Sequence, residues 1–393
     1  MILDIALAIG LVSFAFSGYR QGFLVAVLGF VGFLGGGIAA MVFTPRIVGD
    51  WDPSTGQVLA AASVVVLAAV LGQLLLTGIG GRLRRLLVWG PARLVDSALG
   101  ALLSVLGVLV VTWFLGTAVR GAEMPRLSKA VADSRILRAV DATMPDASQH
   151  FFSSFRALLD EGSFPQVFGG LSPERILPVE APDARAVQTP GIAKARRSIV
   201  QVSGSSKDCD RRIEGSGFVY AQHHVLTNAH VVAGVTKPKV QIGGAGTVYE
   251  ARVVAFDYTR DVAVLYVPQL EAKALPLVSG AGRGDSGVVA GFPRGGPFRM
   301  GPARVREVIQ ARGPNIYSTR TVTREVLSLY ATIQPGNSGG PLLSPSGGVI
   351  GMVFAKSVDD DKTGYALTVA ELSPVADGAR AATKAVDTRA CAA

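Results

Sequence analysis

Four apolar stretches precede residue 120, near residues 2–17, 23–43, 58–79 and 98–118. Each approaches the ~20 residues a helix needs to cross a bilayer. In hydrocarbon the backbone must satisfy its own hydrogen bonds, so these stretches are expected as four membrane-spanning helices. The first is short. A secretory signal peptide would need positive charge ahead of its apolar core, whereas Asp4 precedes this one and Arg20 follows it, so it reads as a retained span. The chain of 393 residues is 49% hydrophobic. Its apolar excess lies in these spans, and the remainder reads as globular.

Basic residues in the short loops set the orientation. Arg20 follows the first span and Arg82, Arg84, Arg85 and Arg93 follow the third, against Arg46 alone between the second and third. Those loops are expected in the cytoplasm and both termini outside. Arg120, Arg126, Lys129, Arg135 and Arg138 argue the other way, but long domains cross the membrane largely regardless of charge. Gly32 and Gly36 form a Gly-x-x-x-Gly pair whose expected role is close helix packing inside the bundle. The net charge of +9 comes without a basic run interleaved with aromatics. Nucleic acid is therefore excluded as a partner, and an anionic lipid surface is the expected one.

Residues 121–192 read as a linker. Leu127, Val131, Ile136, Leu137, Val140 and Met144 recur at helical spacing, which predicts one amphipathic helix ended by Pro145. Pro165, Pro173, Pro178, Pro182 and Pro190 then predict an extended, exposed tether open to proteolytic nicking. From residue 193 to 393 short β-branched runs alternate with Gly, Asn and Asp, the pattern of an all-β barrel or sandwich. The two cysteines, Cys209 and Cys391, both fall in that part. Two free thiols, a metal site or one disulfide would fit them. No Cys-x-x-Cys spacing supports a metal, and export favours a disulfide.

Three local motifs lie on the β-rich background: Leu226-Thr227-Asn228-Ala229-His230-Val231, Arg260-Asp261-Val262-Ala263-Val264-Leu265 and Gln334-Pro335-Gly336-Asn337-Ser338-Gly339-Gly340-Pro341. A serine hydroxyl becomes a nucleophile when an imidazole takes its proton. The imidazole in turn needs a carboxylate to hold its tautomer and stabilise its charged form. The tetrahedral oxyanion needs inward backbone N–H groups, and glycines beside the serine allow that turn. His230, Asp261 and Ser338 are thus the candidate catalytic triad, and the turn of Gly336, Asn337 and Ser338 is the candidate oxyanion hole, with Gly336 and Ser338 supplying the N–H groups. This chemistry calls for neither cofactor nor metal. His150, His223 and His224 read as structural, and Asp257 as a strand terminator.

With Gly215-Ser216-Gly217-Phe218-Val219, these motifs make residues 195–375 resemble the chymotrypsin-like serine proteases, nearest the bacterial trypsin-like and HtrA branch. The resemblance implies two six-stranded β-barrels with the active site between them. It also implies that Thr332 and residues 353–356 line the pocket for the side chain before the cleaved bond. Fewer than about 60 residues follow Pro341, enough to close the barrel but not to add the PDZ domain of HtrA proteases. Asn337 stands where digestive relatives carry an Asp that pairs with a new N-terminus, so that zymogen switch is not expected.

The four-span segment resembles the colicin V production family. Its union with a trypsin-like domain resembles the actinobacterial periplasmic proteases linked to acid resistance. That resemblance implies self-cleavage in the linker, a Cys209–Cys391 disulfide and a role in envelope stress. The expected protein has a four-helix membrane domain (1–120), a linker (121–192) and a chymotrypsin-like double β-barrel (193–393). It would cleave peptide substrates in the cell envelope from the periplasmic side.

Overall fold

The computed structural model describes residues 2–48, 55–121, 125–144, 167–169, 173–206 and 211–392. They fall into two compact units, one of residues 1–116 and 134–142, the other of residues 117–133 and 143–393.

The first unit is built on α1 (Ile2–Gln21), α2 (Phe23–Val48), α3 (Thr55–Arg85) and α4 (Gly90–Gly121). All four are long and apolar enough to cross a membrane. Their outward faces carry large apolar side chains such as Val12, Phe30, Leu75 and Leu102, a surface suited to lipid rather than water. A Cβ on Gly32 would strike the Gly72 carbonyl oxygen, and one on Gly72 would strike that of Gly32. The backbones of α2 and α3 therefore touch, and the Gly32–Gly36 pair serves packing within the bundle.

Polar groups tie the helix ends. Arg84 of α3 reaches Asp96 of α4 at 2.8 Å, and Asp96 Oδ1 accepts the Leu24 N–H at the start of α2 at 3.0 Å. The single amphipathic helix expected after the last span is two helices, α5 (Pro125–Ala132) and α6 (Arg135–Thr143). The break falls where Ser134 caps α6, its hydroxyl accepting the Leu137 N–H at 3.2 Å. A serine favours that capping role over a helix interior. Ser134 also donates to Asp4 at 2.6 Å, and Trp113 Nε1 donates to Asp141 at 2.8 Å, fastening α6 to α1 and α4.

The second unit holds thirteen strands among its described residues. They are β1 (Ile199–Ser206), β2 (Arg211–Ala221), β3 (His224–Thr227), β4 (Lys239–Ile242), β5 (Val248–Glu250), β6 (Arg252–Asp257), β7 (Val262–Tyr266), β8 (Ser286–Gly291), β9 (Arg299–Pro314), β10 (Thr321–Tyr330), β11 (Pro341–Leu343), β12 (Val349–Lys356) and β13 (Thr363–Thr368). The last six close into a barrel in the order β10-β13-β12-β11-β8-β9. The first seven form a curled sheet in the order β5-β4-β1-β2-β3-β7-β6. Its two edge strands, β5 and β6, are one chain segment bent at Ala251, with halves pairing to β4 and β7. The bend turns seven strands into a six-sided barrel. The double-barrel architecture expected from the motifs is therefore the observed one.

Each barrel has its own apolar filling, with Val200, Val219, Val225 and Leu265 in the first and Val305, Leu329, Leu342 and Val353 in the second. A further cluster joins Phe218 and Leu226 of the first barrel to Phe292, Met352 and Tyr365 of the second, cementing the seam where the site lies. A helix α7 (Pro190–Ala195) precedes β1, and α8 (Val369–Gly378) closes the fold after β13.

The tether is extended, as its prolines predict, but its described part is not loose. Val167 is 4% exposed, and Gly169 N–H bonds the Arg312 carbonyl of β9 at 3.0 Å. Arg306 of β9 donates to the Leu177 carbonyl at 2.7 Å, and Arg283 to that of Pro178 at 3.0 Å. This segment is a strap on the second barrel. The tether is exposed at Pro178, Glu180 and Arg185 as expected, yet it is held in place, because Arg306 and Arg283 donate to backbone carbonyls that the prolines leave free of regular structure.

Candidate active site

His230 lies in the turn that follows β3, and Asp261 lies at the mouth of β7. β3 and β7 pair directly, with Thr227 opposite Ala263, so the two motifs meet across one ladder. The Asp261 carboxylate then takes two hydrogen bonds from one residue: His230 N–H to Oδ1 at 2.9 Å and His230 Nδ1 to Oδ2 at 2.7 Å. Asp261 is fully buried, at 0% exposure. Its backbone is in the left-handed region, φ +64°, and Asn228 Nδ2 holds its carbonyl at 2.8 Å. A buried carboxylate that accepts the Nδ1 proton leaves Nε2 as the basic nitrogen.

Ser338 comes from the second barrel, in the turn between β10 and β11. Gln334 to Asn337 form a tight turn closed by Asn337 N–H to Gln334 O at 3.0 Å. Pro335 and Gly336 occupy its centre, and Gly336 has φ +88°, the arrangement of a type II turn. A Cβ there would strike the Phe292 carbonyl. Asn337 Oδ1 also accepts the Gln334 N–H, at 2.9 Å. Gly339 N–H bonds Val353 O at 2.8 Å and Gly340 N–H bonds Asn337 O at 2.9 Å. Among the described residues, the N–H groups of Gly336 and Ser338 make no hydrogen bond. Arg294 N–H holds the Pro335 carbonyl at 2.6 Å. Because a peptide's N–H and C=O point oppositely, this contact turns the Gly336 N–H the other way.

Ser216 of β2 connects the two barrels at this point. Its N–H donates to Ser338 O at 2.8 Å, and its hydroxyl donates to Gly336 O at 2.6 Å while accepting Phe292 N–H at 3.0 Å. Thr227, three residues before His230, donates to Ser216 O at 2.7 Å. A Cβ on Gly339 would strike both Ser216 O and Thr227 Oγ1. The histidine turn and the serine turn thus close on the same strand. Among the described residues no hydrogen bond joins Ser338 Oγ to His230 Nε2, a contact that in free enzymes often tightens only when substrate is bound.

Behind the acid lies Arg324, which donates to Thr259 O at 2.9 Å and Pro314 O at 2.7 Å. Burial pushes its guanidinium below the ordinary value, against the pull of Asp261, Glu371 and Asp257. The remaining candidates behave as structural groups. His224 faces the carbonyls of Gln222 at 2.7 Å and Ala382 at 2.9 Å, and His223 faces that of Leu270 at 3.1 Å. Asp257 accepts the N–H groups of Thr259 at 2.8 Å and Arg260 at 2.9 Å, ending β6. His150 lies outside the described residues. Ser216 joins the site without belonging to any of the three local motifs. The signal available was glycine on both sides of it in a strand, which marks a close approach by another backbone.

Two barrels that meet at a seam carrying these turns define a trypsin-like peptidase fold. Residues 215–352 match the trypsin-like peptidase domain, and residues 3–145 match the colicin V production protein family. Serine protease Rv3671c of Mycobacterium tuberculosis is 36% identical over 377 residues, covering 94% of each chain. The crystal structure of the Rv3671c protease in its active form superposes with a TM-score of 0.54 at 39% identity, over 56% of this chain and 97% of that one. Protease Do-like 1 of Arabidopsis thaliana chloroplasts is 33% identical over 172 residues, 42% of this chain and 38% of the relative. The chain belongs to the family of serine protease Rv3671c, and it joins a colicin V production-like segment to a trypsin-like domain.

Proposed function

We propose that this protease is a multi-pass membrane endopeptidase whose catalytic domain faces the periplasm, with His230, Asp261 and Ser338 as its triad. The observation that carries the assignment is the two-point grip of Asp261 on His230. Ser338 Oγ attacks the carbonyl carbon of the scissile bond as His230 Nε2 takes its proton, and Asp261 stabilises the imidazolium. The oxyanion is received by the N–H groups of Gly336 and Ser338, while Asn337, whose own N–H is engaged, holds the turn. His230 returns the proton to the leaving amine, which leaves an acyl-enzyme on Ser338. Water, activated by the same imidazole, then hydrolyses the ester.

The orientation rests on the arginines of the short loops, and the substrates are proteins of the cell envelope. A disulfide between Cys209 and Cys391 fits an exported domain. Cys209 lies outside the described residues, but Cys391 Sγ sits 3.1 Å from Ser206 Oγ, three residues before it in sequence. Self-processing in the 121–192 linker and a role in acid and oxidative stress of the envelope follow from the family resemblance.

The test is labelling of the full-length protein with a fluorophosphonate, followed by mass spectrometry of the modified residue. Modification of Ser338, lost in Ser338→Ala along with peptide cleavage and self-nicking, is expected. Undiminished cleavage by Ser338→Ala would refute the assignment. Cleavage of the domain by protease added to intact spheroplasts tests the orientation, and protection would reverse it.

A further inference from the structure

Arg324 of β10 is a cation buried to 3% exposure, and a charge so placed is costly unless an opposite charge answers it. Its hydrogen bonds go to two neutral acceptors, Thr259 O at 2.9 Å and Pro314 O at 2.7 Å. Among the described residues no carboxylate makes a salt bridge with it. Two nearby carboxylates have another cation, since Arg260 lies 3.1 Å from Asp257 and 3.4 Å from Glu371 of α8. Asp261, at 0% exposure, has no arginine in contact among the described residues. The two buried charges left over are therefore Arg324 and Asp261. Of the carboxylates that favour the Arg324 cation, Asp261 acts most strongly.

Thr259 belongs to the loop that delivers the acid. Asp257 opens that loop by accepting the N–H groups of Thr259 and Arg260, and Asp261 ends it at φ +64°. That conformation is open to Asp but uncommon, and neighbouring contacts hold it here. Asn228 holds it from the histidine side, through the Asp261 carbonyl. Arg324 holds it from the second barrel, through a carbonyl two residues earlier. Arg320, in the β9–β10 connection, adds a bond to Thr259 Oγ1 at 2.8 Å. The acid of the first barrel is thus located by a strand of the second.

We infer that Arg324 is a positioning residue for the triad: it fixes the Asp261 loop across the seam, and its buried charge balances that of Asp261. It touches no reacting atom. The inference deepens the serine-protease reading above and rests on it. Removing the cation leaves the carboxylate unbalanced, so Asp261 and His230 each hold a proton more readily. Both changes withdraw the free base at a higher pH than in wild type. The other charged and titratable groups facing the loop are Asp257, Arg260, Arg320, Glu371, Tyr317 and Arg389. All of them are unchanged by substitution at Arg324. Burial pushes the Tyr317 phenol up to about 12, so it stays neutral near the acid limb.

The experiment compares wild type, Arg324→Gln, Arg324→Met and Arg324→Lys as full-length, membrane-extracted protein. It measures kcat and KM on a peptide substrate across pH, per active site titrated with a fluorophosphonate, together with the folded fraction. Both neutral variants should move the acid limb of kcat/KM up by about one pH unit. Their plateau kcat should fall about tenfold, with KM within about twofold of wild type. Arg324→Lys keeps the charge but loses the planar fork, so its limb should stay in place while kcat falls. Arg324→Gln retains an amide donor for one carbonyl and Arg324→Met fills the space without one, so whichever folds reads the charge. A neutral variant whose limb stays in place, losing activity only with its folded fraction, would overturn the inference. A limb that moves equally in Arg324→Lys would also overturn it, because geometry alone would then explain the shift. Failure of the wild type itself to label at Ser338 would instead overturn the underlying protease assignment.

Discussion

Asp261 grips His230 twice, with Oδ1 on its backbone N–H at 2.9 Å and Oδ2 on its ring Nδ1 at 2.7 Å. The backbone bond fixes where the residue is, and the ring bond fixes which nitrogen carries the proton. Both depend on a carboxylate that is wholly buried and, among the described residues, makes no other hydrogen bond.

Replacing that carboxylate separates the two tasks. Asp261→Asn keeps the shape and one carbonyl acceptor, yet the amide no longer stabilises the imidazolium and favours the wrong tautomer. The expected loss in kcat is about 10⁴-fold with KM little changed. Steady-state cleavage of a peptide ester and amide measures it, and a loss below about tenfold would show that Asp261 is not the orienting acid.

Ser216 offers a milder test of the serine turn. In Ser216→Ala the Gly336 carbonyl and the buried Phe292 N–H lose their shared hydroxyl, while the Ser216 N–H to Ser338 O bond remains. Orphaned buried groups cost about 1–3 kcal/mol. If half of that falls on the transition state, kcat drops about tenfold. Equal kcat in the two proteins, with equal labelling of Ser338, would remove Ser216 from the site.

Burial raises the carboxyl of Glu174, an acid of the strap that accepts from Ser357 and Tyr365, above the ordinary glutamate range, and this has a signed consequence for stability. The folded chain favours its protonated form, so the stabilisation that form confers is complete below the ordinary glutamate range and disappears as pH rises through the raised value. The melting temperature of wild type minus that of Glu174→Gln should therefore be most positive in acid and shrink toward neutrality. Thermal melts from about pH 4 to pH 8 read it, and a difference that grows with pH has the wrong sign.

Reduction should weaken the domain if the cysteines are joined. The carboxy-terminal segment already lies on the first barrel, with Gly234 N–H on Thr388 O at 3.2 Å and Tyr317 Oη on Ala390 O at 3.0 Å. A bond from Cys391 to Cys209 would close most of the protease sequence into one loop and contribute about 3–5 kcal/mol in the chain-entropy view. Melts with and without a thiol reductant measure it, with Cys391→Ser as control. Identical curves would mean that no such bond exists.

Much of this was readable in the sequence because it is local. Each residue of the proposed triad sits in a six- to eight-residue motif, and the spans are continuous apolar runs. The parts that escaped are those whose stability comes from distant partners. β9 carries Arg299, Arg304, Arg306 and Arg312, charges that obscure its alternation; their partners include the strap and the adjoining loops. α8 contains Pro374 in its interior, which argues against a helix, yet Leu372 and Ala376 are buried against the barrels and hold it. The helix break at Ser134 depends on Asp4, 130 residues earlier. Glu174 reads as one acid among prolines, and its partners lie more than 180 residues downstream.

The strap gives any soluble form of this enzyme a fixed minimum length. Val167 fills part of the apolar core, and Glu174 secures the loop that follows β12, so both count as enzyme rather than leash. Scission on the amino-terminal side of Val167 would leave the strap with the barrels. A cut a dozen residues later would leave barrels already missing a strut.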